Sequence, residues 1–327
     1  MRTRTLSRRE IMTQTGAFMA VALTGRWLET ARASAESPAA GGAGRFLFCL
    51  NTGTIRGQKL GLVKEIDIAA KAGYQGIEPW VSSIEEYAKS GGSLADLKRR
   101  ISDLGLTVES AIGFAQWIVD DDVQRAKGLE QAKYDMDLVA RIGGKRIAAP
   151  PAGATDKPGL DLAKAAERYR ALLELGDGAG VTPQLEVWGF SKNLSHLSQC
   201  AYVAIESGHP KACVLADVFH LYKGGSDFNG LRLLNGDALP VFHMNDYPSD
   251  PPRETINDSF RVFPGDGVAP LARILGSLPA ASGRTVLSLE LFNRKYWEQD
   301  ALEVARTGLE KMKGVAGKAM EQGGLGG

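Results

Sequence analysis

From residue 45 onward, short apolar runs alternate with segments of mixed polarity. The runs fall at 45–51 (RFLFCLN), 75–80 (QGIEPW), 106–112 (LTVESAI), 145–150 (KRIAAP), 182–188 (TPQLEVW), 212–217 (ACVLAD), 240–245 (PVFHMN) and 285–291 (TVLSLEL). Their length and bounding turns suit buried β-strands. Between them the apolar period changes. Leu62, Ile66 and Ala69 or Ala70 recur at helical spacing within 60–72, as do Leu129, Met136 and Val139 or Ala140 within 124–142. Gly73, Gly105 and Gly143 stand where such helices end.

Eight strand–helix repeats in about 280 residues predict a single closed parallel (β/α)8 TIM barrel over 45–313. An open doubly wound sheet usually has a glycine-rich phosphate loop after its first strand, and Asn51-Thr52-Gly53-Thr54 is not one. Residues 218–239 predict a short or irregular helix. Residues 246–267 form a loop long enough to suggest a functional role. The glycine-rich stretch 314–327 predicts a flexible tail.

Residues 1–35 differ from the rest. Arg2, Arg4, Arg8 and Arg9 precede an apolar run, Gly16–Thr24, too short to span a bilayer. Ala31-Arg32-Ala33 and Ala33-Ser34-Ala35 offer small-x-small cleavage sites. Ser7-Arg8-Arg9-Glu10-Ile11-Met12 resembles a twin-arginine export motif, which implies the export machinery as partner of the precursor and a periplasmic mature protein. Residues 36–44 read as a flexible linker. Removing 1–35 takes away six arginines and two glutamates and turns a net charge of +1 into −3. Neither balance draws the chain to nucleic acid, and nothing predicts stable membrane insertion. Cys49, Cys200 and Cys213 form no metal-type pair. They read as buried thiols, with a Cys200–Cys213 bridge left open, as is a homo-oligomer.

Candidate chemistry sits at the ends of the last four strands: Glu186, Asp217, His243 and Glu290. Each alone reads equally well as a capping or ion-paired side chain. Four at successive strand ends converge on the face where barrels place active sites. Three close carboxylates repel unless a cation lies between them. One His with three carboxylates suits Mn²⁺ first, Mg²⁺ or Co²⁺ next, and Zn²⁺ least. Asp120-Asp121-Asp122 reads as a helix cap, and His196 and His209 as surface residues. Asp246 is a candidate to orient His243.

The ordered set Gly73-Tyr74-Gln75-Gly76-Ile77-Glu78, Leu185-Glu186, Asp217-Val218-Phe219-His220, Phe242-His243-Met244-Asn245-Asp246, Pro264-Gly265-Asp266-Gly267 and Leu289-Glu290 resembles the xylose isomerase-like superfamily of TIM barrels, its sugar-phosphate isomerase/epimerase group. The resemblance implies one divalent metal held by Glu186, Asp217, His243 and Glu290. It implies Glu186 and Glu290 as the acid/base pair and His220 on substrate oxygens. The residues fit that chemistry by themselves: moving a proton beside a carbonyl needs a base, its conjugate acid and a cation for the developing oxyanion. Further substrate contacts are expected from Glu78, Arg261, Lys223 and Trp188. Trp80 and Phe114 read equally as stacking platforms or core. The expected activity is a metal-dependent isomerase or epimerase on a free sugar or keto-sugar. A lyase or hydratase on a keto-glycoside is the alternative, and a non-catalytic sugar-binding protein comes third. The superfamily's DNA-repair nuclease branch uses a histidine-rich zinc cluster, which four histidines at these positions do not supply.

Overall fold

The computed structural model describes residues 44–279 and 281–323. The expected export signal, the linker before Gly44 and the last four residues lie outside the described residues. Eight parallel strands form one curled sheet: β1 (Phe46–Asn51), β2 (Gly76–Glu78), β3 (Thr107–Val108), β4 (Arg146–Ala149), β5 (Thr182–Glu186), β6 (Val214–Asp217), β7 (Val241–Met244) and β8 (Thr285–Leu289). Their spatial order is β3-β2-β1-β8-β7-β6-β5-β4. The seam between β3 and β4 is closed by the amide of Ala148 donating to the carbonyl of Ala111 at 2.8 Å and by Gln184 donating to Ser110 at 3.0 Å. The architecture is the expected (β/α)8 barrel.

Both faces of the sheet are buried, which is why the strands read as nearly continuous apolar runs. Leu47, Cys49, Leu215, Val241 and Val286 form a cluster inside the barrel with Ile112 and Ala148. Their strand neighbours Phe46, Leu50, Ala216, Phe242, Leu287 and Leu289 belong to the larger outer core. The outer layer contains α1 (Leu62–Ala72), α2 (Val81–Lys89), α3 (Leu94–Asp103), α4 (Asp122–Arg141), α5 (Leu162–Ala179), α6 (Leu197–Glu206), α7 (Val218–Gly224), α8 (Leu271–Ser277), α9 (Arg294–Trp297) and α10 (Ala301–Gly323). Asp121 caps α4 by accepting from the amide of Gln124. Asp120 pairs with Arg168 at 2.9 Å. His196 is exposed at the start of α6, and His209 pairs with Asp177. All three cysteines are free and buried.

Two expectations need correction. The run 106–112 contains only the two-residue β3, because its later backbone bonds, to Ile77, Pro79, Val81 and Ala148, make one isolated parallel bridge between Trp80 and Ile112 rather than a continuous ladder. Residues 314–323 continue α10 rather than forming a tail. Met312, Val315, Ala316 and Ala319 are buried at helical spacing, while Gly314 and Gly317 face open space. The glycines that suggest fraying occupy the face where no packing is lost.

The 246–267 loop is fastened at its ends. Asp246 and Val262 exchange backbone bonds at 3.0 and 2.9 Å. The Asp246 carboxylate accepts the amides of Gly265, Gly267 and Ala269 at 2.9–3.1 Å. Gly265 has φ +90°, and a Cβ on Gly267 would fall 2.3 Å from the Tyr247 carbonyl. Both glycines are therefore needed for the backbone to wrap around Asp246. Asp246 holds this loop and does not orient His243.

Candidate functional site

Side chains on β6, β7 and β8 alternate inward and outward, and ladder register sets which inward ones meet. Asp217 pairs with His243, and His243 with Ser288. Glu290 follows one inward position after Ser288. As a result, one ligand atom each from Asp217, His243 and Glu290 lies within 4.8 Å of the others, all buried. Glu186 stands outside that group of three, although it borders the same cavity.

His243 Nε2 lies 3.0 Å from Glu78 Oε2. An ionised Glu78 can only accept, so Nε2 carries the hydrogen and Nδ1 turns toward the carboxylates. Nδ1 is 3.2 Å from Glu290 and 3.8 Å from Asp217. It is buried and has no aligned hydrogen-bond partner. Burial opposes charge on His243, but Glu290 and Glu78 outweigh it and hold the pKa well above the usual imidazole range. Glu78 also accepts from Asn51 at 3.0 Å and Ser288 at 2.7 Å. It is fully buried and is not among the residues lining the cavity; where a substrate contact was expected, the structure places it against His243.

Arg261 reaches the same oxygens from the 246–267 loop. Its Nη1 donates to Asp217 Oδ2 at 2.9 Å and to Glu290 Oε2 at 2.8 Å. Its other nitrogens reach Asp258 at 2.5 and 3.0 Å and His220 Nε2 at 3.1 Å. Three carboxylates thus surround one fully buried guanidinium. Burial would raise the Glu290 pKa, but His243 and Arg261 hold it far below the carboxylate range. Glu186 behaves in the opposite way: burial pushes it up to about 8, with Glu290 adding repulsion and His243 only partly offsetting it. Its Oε2 has no partner. Two carboxylates in one pocket therefore have opposed proton affinities.

The cavity above this floor has a volume of about 230 Å³. Glu186, Glu290, His220, Asp258 and Arg261 form its polar side; Trp80, Ile112, Phe114, Trp188, Phe190 and Phe292 form its apolar side. Trp188 and His220 line it as expected. Lys223 does not, because its Nζ donates to the carbonyls of Arg253 and Glu254 at 2.9 Å. Asn51, Ser288, Asp258, Phe190 and Phe292 are site residues that the sequence reading missed. Asn51 and Ser288 are polar at inward strand positions, a signal that period-two counting could have found.

Residues 66–315 match the xylose isomerase-like TIM barrel family. The chain belongs to this family. Its relatives include the inosose isomerase of Bacillus velezensis, 25% identical over 274 residues, which span 83% of this chain and 97% of the relative. The 3-dehydroshikimate dehydratase of Pseudomonas putida is 24% identical over 253 residues, covering 77% of this chain and 39% of that longer protein. A crystal structure of the IOLI protein with a bound zinc atom shares the fold with a TM-score of 0.77 at 22% identity, covering 84% of this chain and 99% of that one. Enzymes of more than one reaction class thus share this family barrel. Among the described residues, no helix is long and apolar enough to cross a membrane.

Proposed function

We propose that this chain is a divalent-metal-dependent enzyme that removes a proton from the carbon beside a carbonyl of a neutral keto-sugar and returns it as an isomerase or epimerase. The observation that carries the reading is the convergence of Asp217, His243 and Glu290 within 4.8 Å at the base of a cavity bordered by Glu186. The donor set fits a cation: His243 Nδ1 and Glu186 Oε2 are buried without partners, and the carboxylates face one another. Glu186, Asp217, His243 and Glu290 would hold the ion, with Mn²⁺ the best match to a mostly oxygen set. When bound, a divalent ion supplies Lewis acidity for the carbonyl oxygen.

The chain's own residues do the rest. Glu186 and Glu290 enter the cavity from β5 and β8, on either side of Asp217 and His243. They act as the proton-transfer pair, one taking the proton and the other supplying it. His220 uses Nε2 on Arg261, and its Nδ1 is unpartnered. That atom holds a substrate oxygen. The aromatic side excludes water and accepts the C–H face of a sugar.

Among the described residues, Arg261 is the one cation lining the cavity, and it is already shared among Asp217, Asp258 and Glu290. With that guanidinium engaged, no free cationic side chain among the described residues lining the cavity is left to pair with a phosphate or carboxylate, which supports a neutral substrate. A lyase acting on a keto-glycoside is the second reading. It is favoured by the dehydratase among the relatives, and it uses the same pair for elimination. Proton NMR in D₂O with the Mn²⁺-loaded protein tests the first step with inososes, ketoses and keto-glycosides. Exchange at one carbon beside the carbonyl is expected, and it is lost on chelation. No exchange with any member would overturn the reading. We further propose that Arg8 and Arg9 direct export to the periplasm, an assignment that replacing both by Lys would test by retaining the precursor in the cytoplasm.

A further inference from the structure

The aromatic side of the cavity is larger than a single sugar ring needs. Phe292, Trp80, Phe114, Trp188 and Phe190 form a continuous arc, with successive ring centroids 5.0–6.1 Å apart. The rings come from the loops after β8, β2, β3 and β5, so four separate connections contribute to one surface. Trp80 is fixed by its indole nitrogen donating to Asn51 Oδ1 at 3.2 Å and by the Arg56 guanidinium stacked 3.8 Å from its ring. Phe114 and Phe190 remain 44% and 46% exposed.

Exposed phenylalanines that continue the wall of a ligand cavity mark a contact surface more often than isolated ones do. The polar groups that can recognise hydroxyl and carbonyl oxygens all lie on the opposite, floor side: Glu186, Glu290 and His220. Among the described residues, the charged side chains lining the cavity are Glu186, Asp258, Arg261 and Glu290, all of the floor. A pyranose seated over the floor leaves Phe114 and Phe190 beside whatever the sugar carries.

We propose that Phe114, Trp188 and Phe190 form a subsite for a flat, uncharged, apolar substituent on the sugar, so that the ligand class is a glycoside with an aromatic aglycone. The inference rests on the carbohydrate reading of the floor and adds the part of the ligand that the floor does not contact. Flat rings suit it because the arc offers ring faces and edges at stacking distance, and Phe114 and Phe190 carry no hydrogen-bonding group.

Isothermal titration of the Mn²⁺-loaded protein with paired phenyl and methyl β-glycosides of glucose, galactose, mannose and xylose tests the subsite, with phenol as control. At least one phenyl glycoside should bind ~10-fold or more tightly than its methyl partner, as expected for burying one aromatic ring. Phe114→Ala and Phe190→Ala should each shrink that ratio; thermal melts confirm that the variants are folded. Equal affinity of phenyl and methyl partners, no binding of any phenyl glycoside, or phenol binding as tightly as the glycosides would overturn the subsite. D₂O exchange on keto-sugars separates this claim from the reaction. Exchange without aryl preference removes only the aglycone subsite, and aryl preference without exchange removes only the proposed proton transfer.

Discussion

The lower and upper halves of the barrel interior are built from the same strands and differ within two residues of each strand. Toward the strands' beginnings the inward positions are Leu47, Leu215, Val241 and Val286. Toward their ends they are Asn51, Asp217, His243, Ser288 and Glu290, all buried. The lower half gains stability from dispersion and the removal of apolar surface from water. The upper half buries at least four ionisable groups and must offset their desolvation by pairing them. The pairing is incomplete, since His243 Nδ1, Glu186 Oε2 and Glu78 Oε1 have no partners. A half-satisfied polar layer above a well-packed apolar one marks where the fold serves chemistry rather than stability.

The contrast breaks most sharply with Glu290→Gln. In the upper half this change should lower turnover by at least ~100-fold, typical of losing a general base, while substrate binding persists. Single-turnover kinetics on a confirmed substrate would show it. Retained turnover would move the base elsewhere. Glu78→Gln comes next. Its amide would donate to His243 Nε2 and push the hydrogen to Nδ1, so metal affinity should fall by about 10–100-fold. Calorimetric titration with Mn²⁺ reads this directly, and Glu78→Asp should recover part of the loss. Leu215→Ala probes the lower half. It should cost about 2–5 kcal/mol of stability and leave turnover per folded molecule unchanged, as measured by denaturant unfolding beside an activity assay.

The smallest effect is electrostatic. The Glu186 carboxyl has a folded pKa of about 8, against roughly 4.3 for an unfolded chain. Between those values the folded state holds a proton that the unfolded state has lost. The contribution to stability is therefore complete below about pH 4 and disappears as pH rises through 8. Glu186→Gln stays neutral throughout. Unfolding midpoints of the metal-free protein should fall more from pH 5 to pH 8 in the wild type than in this variant.

The same contrast explains what the sequence could show. The strands and the four polar ends were legible because alternation and residue type are local properties. Phe190 and Phe292 were missed because they become a wall only when the loops after β5 and β8 meet those after β2 and β3. Glu78 was visible as a polar strand end, but its role depends on His243, 165 residues away. Lys223 looked well placed in sequence, yet the nearby carbonyls of Arg253 and Glu254 occupy its ammonium. Asp246 was read as a partner of its neighbour His243, whereas three loop amides are closer in space.

Anomalous diffraction at the manganese edge from crystals of the Mn²⁺-loaded protein tests the account most directly. One peak is predicted, bound by His243 Nδ1 and by oxygens of Asp217, Glu290 and Glu186, with Arg261 Nη1 withdrawn from at least one of the carboxylate oxygens it holds in the metal-free arrangement. A peak elsewhere in the molecule, or no ordered ion with Arg261 still bridging Asp217 and Glu290, would contradict it.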